Sequence, residues 1–201
     1  MRTRYYFGVP VLALAFLVAL APSATAGVWN VDSGGPVPAW GSAHFTFTVS
    51  GEGSIVDLDL RVSLAQNYDR SLEVIIKSPA GTKVEVIPYF SATQRLAGSN
   101  LQETCFDDEA VTSIYSGTPP YAGTYRPLYA LSAFDAQNPN GIWDLVVLEH
   151  ADVAFGTLYR AGDTAPWGAA VGTQLILTPE PATVALVALG GLGMLARRKR
   201  K

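Results

Sequence analysis

The chain has 201 residues, 49% of them hydrophobic, and a formal charge of −3. That small figure hides an asymmetry: of 14 basic residues two lie in the first 26 positions and five close the chain, so seven accompany all 17 acids and leave the part between near −10. A surface of that sign repels polyanions, which excludes DNA and RNA binding and favours cations or neutral partners.

In chain order, Arg2 and Arg4 precede an apolar stretch from Phe7 to Ala21, and Ser23-Ala24-Thr25-Ala26 follows. A positive start, an apolar core and a small-residue exit predict a signal peptide over residues 1–26, with Ala24 and Ala26 read by signal peptidase. Residues 27–54 are expected to hold the first strands of the folded part. In "HFTFTVS" Phe45, Phe47 and Val49 alternate with His44, Thr46 and Thr48. In "VDLDLRVSL" Val56, Leu58, Leu60, Val62 and Leu64 alternate with Asp57, Asp59, Arg61 and Ser63. Period-two alternation of this kind predicts half-buried strands, with Val56, Leu58 and Leu60 facing the core. "SLEVIIKSPAGTKVEVI" predicts a hairpin closing at Ser78-Pro79-Ala80-Gly81, where proline pre-sets the turn and glycine accepts a positive φ.

Residues 91–140 are rich in Gly, Pro, Ser and Tyr, and Ile142–Leu148 and Gly172–Thr178 read as late strands. Helical periodicity and a fixed internal repeat are both missing from the folded part. The fold class expected is therefore all-β, an antiparallel β-sandwich or jelly roll, with its main module over residues 55–178.

Pro179-Glu180-Pro181 should then end the last strand, because proline lacks the ladder's N–H. Ala182 to Ala196 carry no charge but reach only ~22 Å as a helix, a short transmembrane span for a ~30 Å bilayer core. Five cations, Arg197 to Lys201, resist translocation and hold the folded part outside the cytoplasm.

Chemistry is sparse. The two histidines, His44 and His150, lie apart in sequence, and no nucleophile-elbow, zinc-protease or paired-cysteine motif occurs. The expectation is a protein that is not an enzyme. Cys105 is the single cysteine, so no intramolecular disulfide can form; its acidic neighbours should raise the thiol pKa and make it a structural residue. Asp107, Asp108 and Glu109 set three carboxylates in a row, readable either as hard-oxygen ligands for calcium or as a solvated acidic turn. Tyr115, Tyr121, Tyr125 and Tyr129 are either an exposed aromatic platform for a sugar or half-buried loop anchors.

Two stretches carry family resemblances. The order Pro179-Glu180-Pro181, short apolar helix, basic terminus resembles the PEP-CTERM sorting signal of Gram-negative bacteria, which implies an exosortase as partner and transient residence in the inner membrane. "YDRSLEVIIKSPAGT", "FDDEA" and "PPYAGTYRPLYALSAFDAQNPNGIWDLVV" resemble the P domain (P/Homo B), the jelly-roll module that follows the catalytic domain in subtilisin-like proprotein convertases. That resemblance implies calcium as the candidate cofactor, with Asp107, Asp108 and Glu109 in the acidic motif and Asp69 brought beside them. Residues 27–54 are too few to hold the protease that precedes the module in those proteins. Together the resemblances imply an exported, non-catalytic surface or matrix protein of the cell envelope. The alternatives are a carbohydrate-binding module, partnered by exopolysaccharide, and an accessory subunit of a separate secreted protease.

Overall fold

The computed structural model describes residues 25–89, 95–152 and 155–180, and Ala26–Pro179 form one compact unit. The expected signal peptide up to Ala24, and Pro181 with the expected apolar helix and basic tail, lie outside the described residues. In chain order the strands are β1 (Gly27–Asn30), β2 (Gly35–Val37), β3 (Gly41–Val49), β4 (Ile55–Gln66), β5 (Leu72–Lys77), β6 (Lys83–Ile87) and β7 (Leu101–Phe106). They continue with β8 (Thr124–Tyr125), β9 (Gly141–Glu149), β10 (Gly156–Leu158), β11 (Thr164–Ala165), β12 (Gly168–Ala169) and β13 (Gln174–Pro179). Helix among the described residues is confined to short 3-10 turns, such as Asp69–Ser71 and Leu131–Phe134.

Two sheets carry the architecture. The larger runs β1-β13-β4-β10-β2, with β7 along the other side of β4 and β8 beyond it; the smaller runs β3-β9-β5-β6. Alternation explains why they stack. Phe45, Phe47 and Val49 from β3, and Trp143, Leu145 and Val147 from β9, are buried in the same apolar cluster as Leu58, Leu60, Val62 and Leu64 from β4 and Leu175 and Leu177 from β13. Each such side chain contributes ~1.5–3 kcal/mol by leaving water. The sandwich is closed by Trp143, which meets Phe134 edge-on at 5.1 Å and donates its indole N–H to the Pro139 carbonyl at 2.8 Å. The hairpin falls where its turn residues predict, with the Gly81 N–H donating to the Ser78 carbonyl at 2.9 Å and Gly81 at φ +90°.

One expectation is corrected at the start of β4. Leu58 and Leu60 are buried, but Val56 is 48% exposed and Ile55 takes the core position at 2%. The cause lies on the partner strand: Leu177 faces Leu58 and Thr178 faces Asp57, then the register slips so that Pro179 faces Ile55. Val56 is the extra residue of a β-bulge, and a bulge reverses the facing of what precedes it. β7 is a strand that alternation does not reveal. Its buried residues Leu101, Thr104 and Phe106 are spaced by three and then two, because Glu103 adopts a left-handed φ of 55° opposite a register shift between Val62 and Leu64.

Candidate functional site

The acidic row stands at the end of β7, where the ladder sets Phe106 opposite Leu60 and so brings Asp107 beside Asp59. The charges of its two aspartates are met by backbone donors. Asp108 accepts the N–H groups of Leu131 and Ser132 at 2.9 and 2.8 Å, fastening the Leu131–Phe134 turn to the sheet, and Asp107 accepts the N–H of Glu109 at 2.7 Å. Asp59 is less well served. Its Oδ1 is buried without a partner, and desolvation, reinforced by Asp57, Asp107, Glu109 and Asp108, pushes its pKa up to about 7. Burial likewise raises Cys105 to about 11, leaving a protonated structural thiol. Asp108→Ala is expected to lower stability by about 1–2 kcal/mol, read from the denaturant midpoint, because it orphans two backbone donors. Asp107→Ala should do less.

Asp69 does not join this row, and that expectation is corrected. Its N–H donates to the Gly98 carbonyl, three residues before β7 begins, whereas Asp107 follows the end of that strand. Seven residues of extended chain put roughly 20 Å between the two ends. Asp69 lies instead in a buried polar nook with Gln66 and Glu149, all three at most 2% exposed. Gln66 Nε2 donates to Glu149 Oε2, and the Ala151 N–H donates to Glu149 Oε1 at 3.2 Å. Oε1 of Gln66 and both oxygens of Asp69 lack a well-formed hydrogen bond among the described residues, the Asn100 N–H, which donates to the Gln66 carbonyl, offsetting the burial of Asp69 only in part. Desolvation pushes Asp69 up to about 7, and it raises Glu149 as well.

Of the two readings of the tyrosines, the structure takes the loop anchors. Tyr121 is 1% exposed and its hydroxyl donates to the Ala97 carbonyl at 2.8 Å, while Tyr115 and Tyr125 pack against the core; only Tyr129 of the four is substantially exposed. These rings anchor loops. The exposed aromatic surface that sequence reading missed lies on the smaller sheet. There Tyr89 stacks on His150 at 4.0 Å, His150 Nε2 meets Glu73 Oε2 at 2.7 Å, and the Arg95 guanidinium covers the other ring at 4.6 Å. Trp40 lies beside them, its backbone N–H donating to the Ala151 carbonyl. The contributing residues are scattered from position 40 to position 150, so no local pattern signals the group. His44, by contrast, pairs with Asp144 at 3.1 Å on the same sheet.

At the C-terminus, Pro179 ends β13 and Glu180 is exposed directly after it, so the expected sorting residues begin where the core strand stops. Residues 177–201 match the PEP-CTERM protein-sorting motif. The chain therefore carries an exosortase-type sorting signal, which marks an exported protein routed through the membrane towards the envelope or extracellular space of a Gram-negative bacterium. Comparison with curated proteins gives no match. Among solved structures, the chain is similar to one in the crystal structure of Aeromonas sobria serine protease and its chaperone in complex, with 14% identity and a TM-score of 0.41. The similarity covers 82% of this chain and 29% of the other, so this chain spans less than a third of that one's length.

Proposed function

We propose that this protein is a non-catalytic surface or matrix component whose β-sandwich, of P-domain-like jelly-roll type, is an interaction module delivered by exosortase sorting. The observation that carries the reading is the sorting motif over residues 177–201, which takes over from β13 without a linker. Replacing Pro179, Glu180 and Pro181 with alanine should leave uncleaved protein in the inner membrane, whereas mass spectrometry of the wild-type exported protein should show the basic tail missing. Intact Lys201 in the exported wild-type protein would make the segment a plain anchor.

Calcium is a second proposal, supported by the orphaned carboxylate of Asp69. Among the described residues no three His, Cys, Asp or Glu side chains gather to ligate a metal. The acidic row with Asp69 does not fit a single calcium site, since its parts are at opposite ends of β7 and Asp107 and Asp108 hold backbone N–H groups. The nook fits better in donor type, since Asp69 and the amide oxygen of Gln66 are hard oxygens of the kind that calcium takes, but Glu149 would have to give up its bonds from Gln66 Nε2 and the Ala151 N–H to join them.

A further inference from the structure

We propose that the exposed aromatic group on the smaller sheet is a binding site for a neutral glycan, with Trp40 as its stacking surface and Ser42 and His150 as hydrogen-bonding edges. This rests on the reading of the domain as an interaction module and names the partner class.

Three observations carry it. Trp40 is 68% exposed and is held at a left-handed φ of 47°. For a bulky residue that conformation is strained, and glycine would adopt it freely. The ring thus neither packs into the core nor suits its own backbone, and strain retained without packing points to function. Second, Trp40, Gly41, Ser42, Leu148, Glu149 and His150 line one shallow depression, so residues bearing an indole and an imidazole border the same surface. Third, the wall is already ordered. The Tyr89 ring holds His150 by stacking, Glu73 holds its Nε2, and Arg95 donates to the Tyr89 hydroxyl at 3.1 Å. An aromatic face beside fixed polar edges suits a pyranose, which presents a C–H face to a ring and hydroxyls around its rim. The charge near −10 between the two chain ends selects against an anionic polymer.

The test uses the exported protein in native affinity gels containing hydroxyethyl cellulose, dextran or galactomannan as neutral polymers, and alginate as the anionic one. At least one neutral polymer should retard the wild type, independently of salt, and Trp40→Ala should weaken that retardation tenfold or more while Trp40→Phe keeps most of it. Trp40→Gly should lose binding yet melt at or above the wild-type temperature, because glycine relieves the backbone. The proposal is overturned by no retardation in any neutral polymer, by retardation that Trp40→Ala leaves intact, or by salt-sensitive binding to alginate alone. A fall in the melting temperature of Trp40→Gly would also overturn it, making Trp40 a structural residue. Because the protein is assayed after export, a failure here leaves the sorting experiment untouched.

Discussion

Ile55→Asp is expected to unfold the domain or bring it close to unfolding, whereas Val56→Asp, one residue along, should stay within about 0.5 kcal/mol of wild type. Ile55 is 2% exposed and Val56 is 48% exposed. An aspartate at 55 or at 58 would bury a carboxylate among apolar side chains, at a cost of several kcal/mol against a total stability of ~5–15 kcal/mol. Expression level and urea midpoints of the three variants check this. Simple alternation along "IVDLDL" predicts the opposite ranking for 55 and 56, so the pair reports directly on the bulge opposite Pro179. A severe Val56→Asp beside a mild Ile55→Asp would mean the strand runs in register to its start.

The second large effect concerns Asp69 and pH. Burial raises its pKa from 3.8 to about 7 in the fold. Between those values the folded protein holds a proton that the unfolded chain has released. The site's contribution is therefore complete below about pH 4, declines as pH rises, and is gone above about pH 7, a change of a few kcal/mol. Asp59, raised to about 7 as well, adds a slope of the same sign. Asp69→Asn should flatten the dependence in part and should stabilise the calcium-free protein at pH 7.5. Calcium in millimolar excess should raise the melting temperature of the wild type at that pH, by up to about 2.7 kcal/mol of stabilisation at a hundredfold excess over Kd. Asp69→Asn should abolish the calcium response, and Asp107→Asn with Asp108→Asn should preserve it. Equal melting in chelator and in calcium would leave Asp69 as a protonated structural acid, and loss of the response in the double variant alone would return the metal to the acidic row.

The largest features of the molecule are written locally. Phe45, Phe47 and Val49 face inward because side chains alternate along any strand, and Ser78 to Gly81 turn because proline and glycine restrict or free φ whatever surrounds them. The sorting segment is equally legible, since it is recognised as a linear order of residues. Where reading along the chain failed, a partner strand had intervened. Val56 turned outward because Pro179, over a hundred positions away, ends the opposing ladder. β7 escaped notice because its register shift against β4 breaks the period.

Site chemistry was less legible still, for the same reason. Asp69 and Asp107 look like companions in composition, but the antiparallel pairing of β4 with β7 carries one to each end of the ladder. The four tyrosines read as either a platform or loop anchors, and the choice is made where Tyr121 buries its ring and satisfies its hydroxyl on Ala97. Trp40, Glu73, Tyr89 and His150 share no motif, and they meet because β3, β9, β5 and β6 lie side by side in one sheet. Alternation and turn chemistry depend on a residue and its immediate neighbours, so the sequence determines them; desolvation, charge pairing and the assembly of a binding face depend on distances between strands, and those exist only once the sheets have stacked.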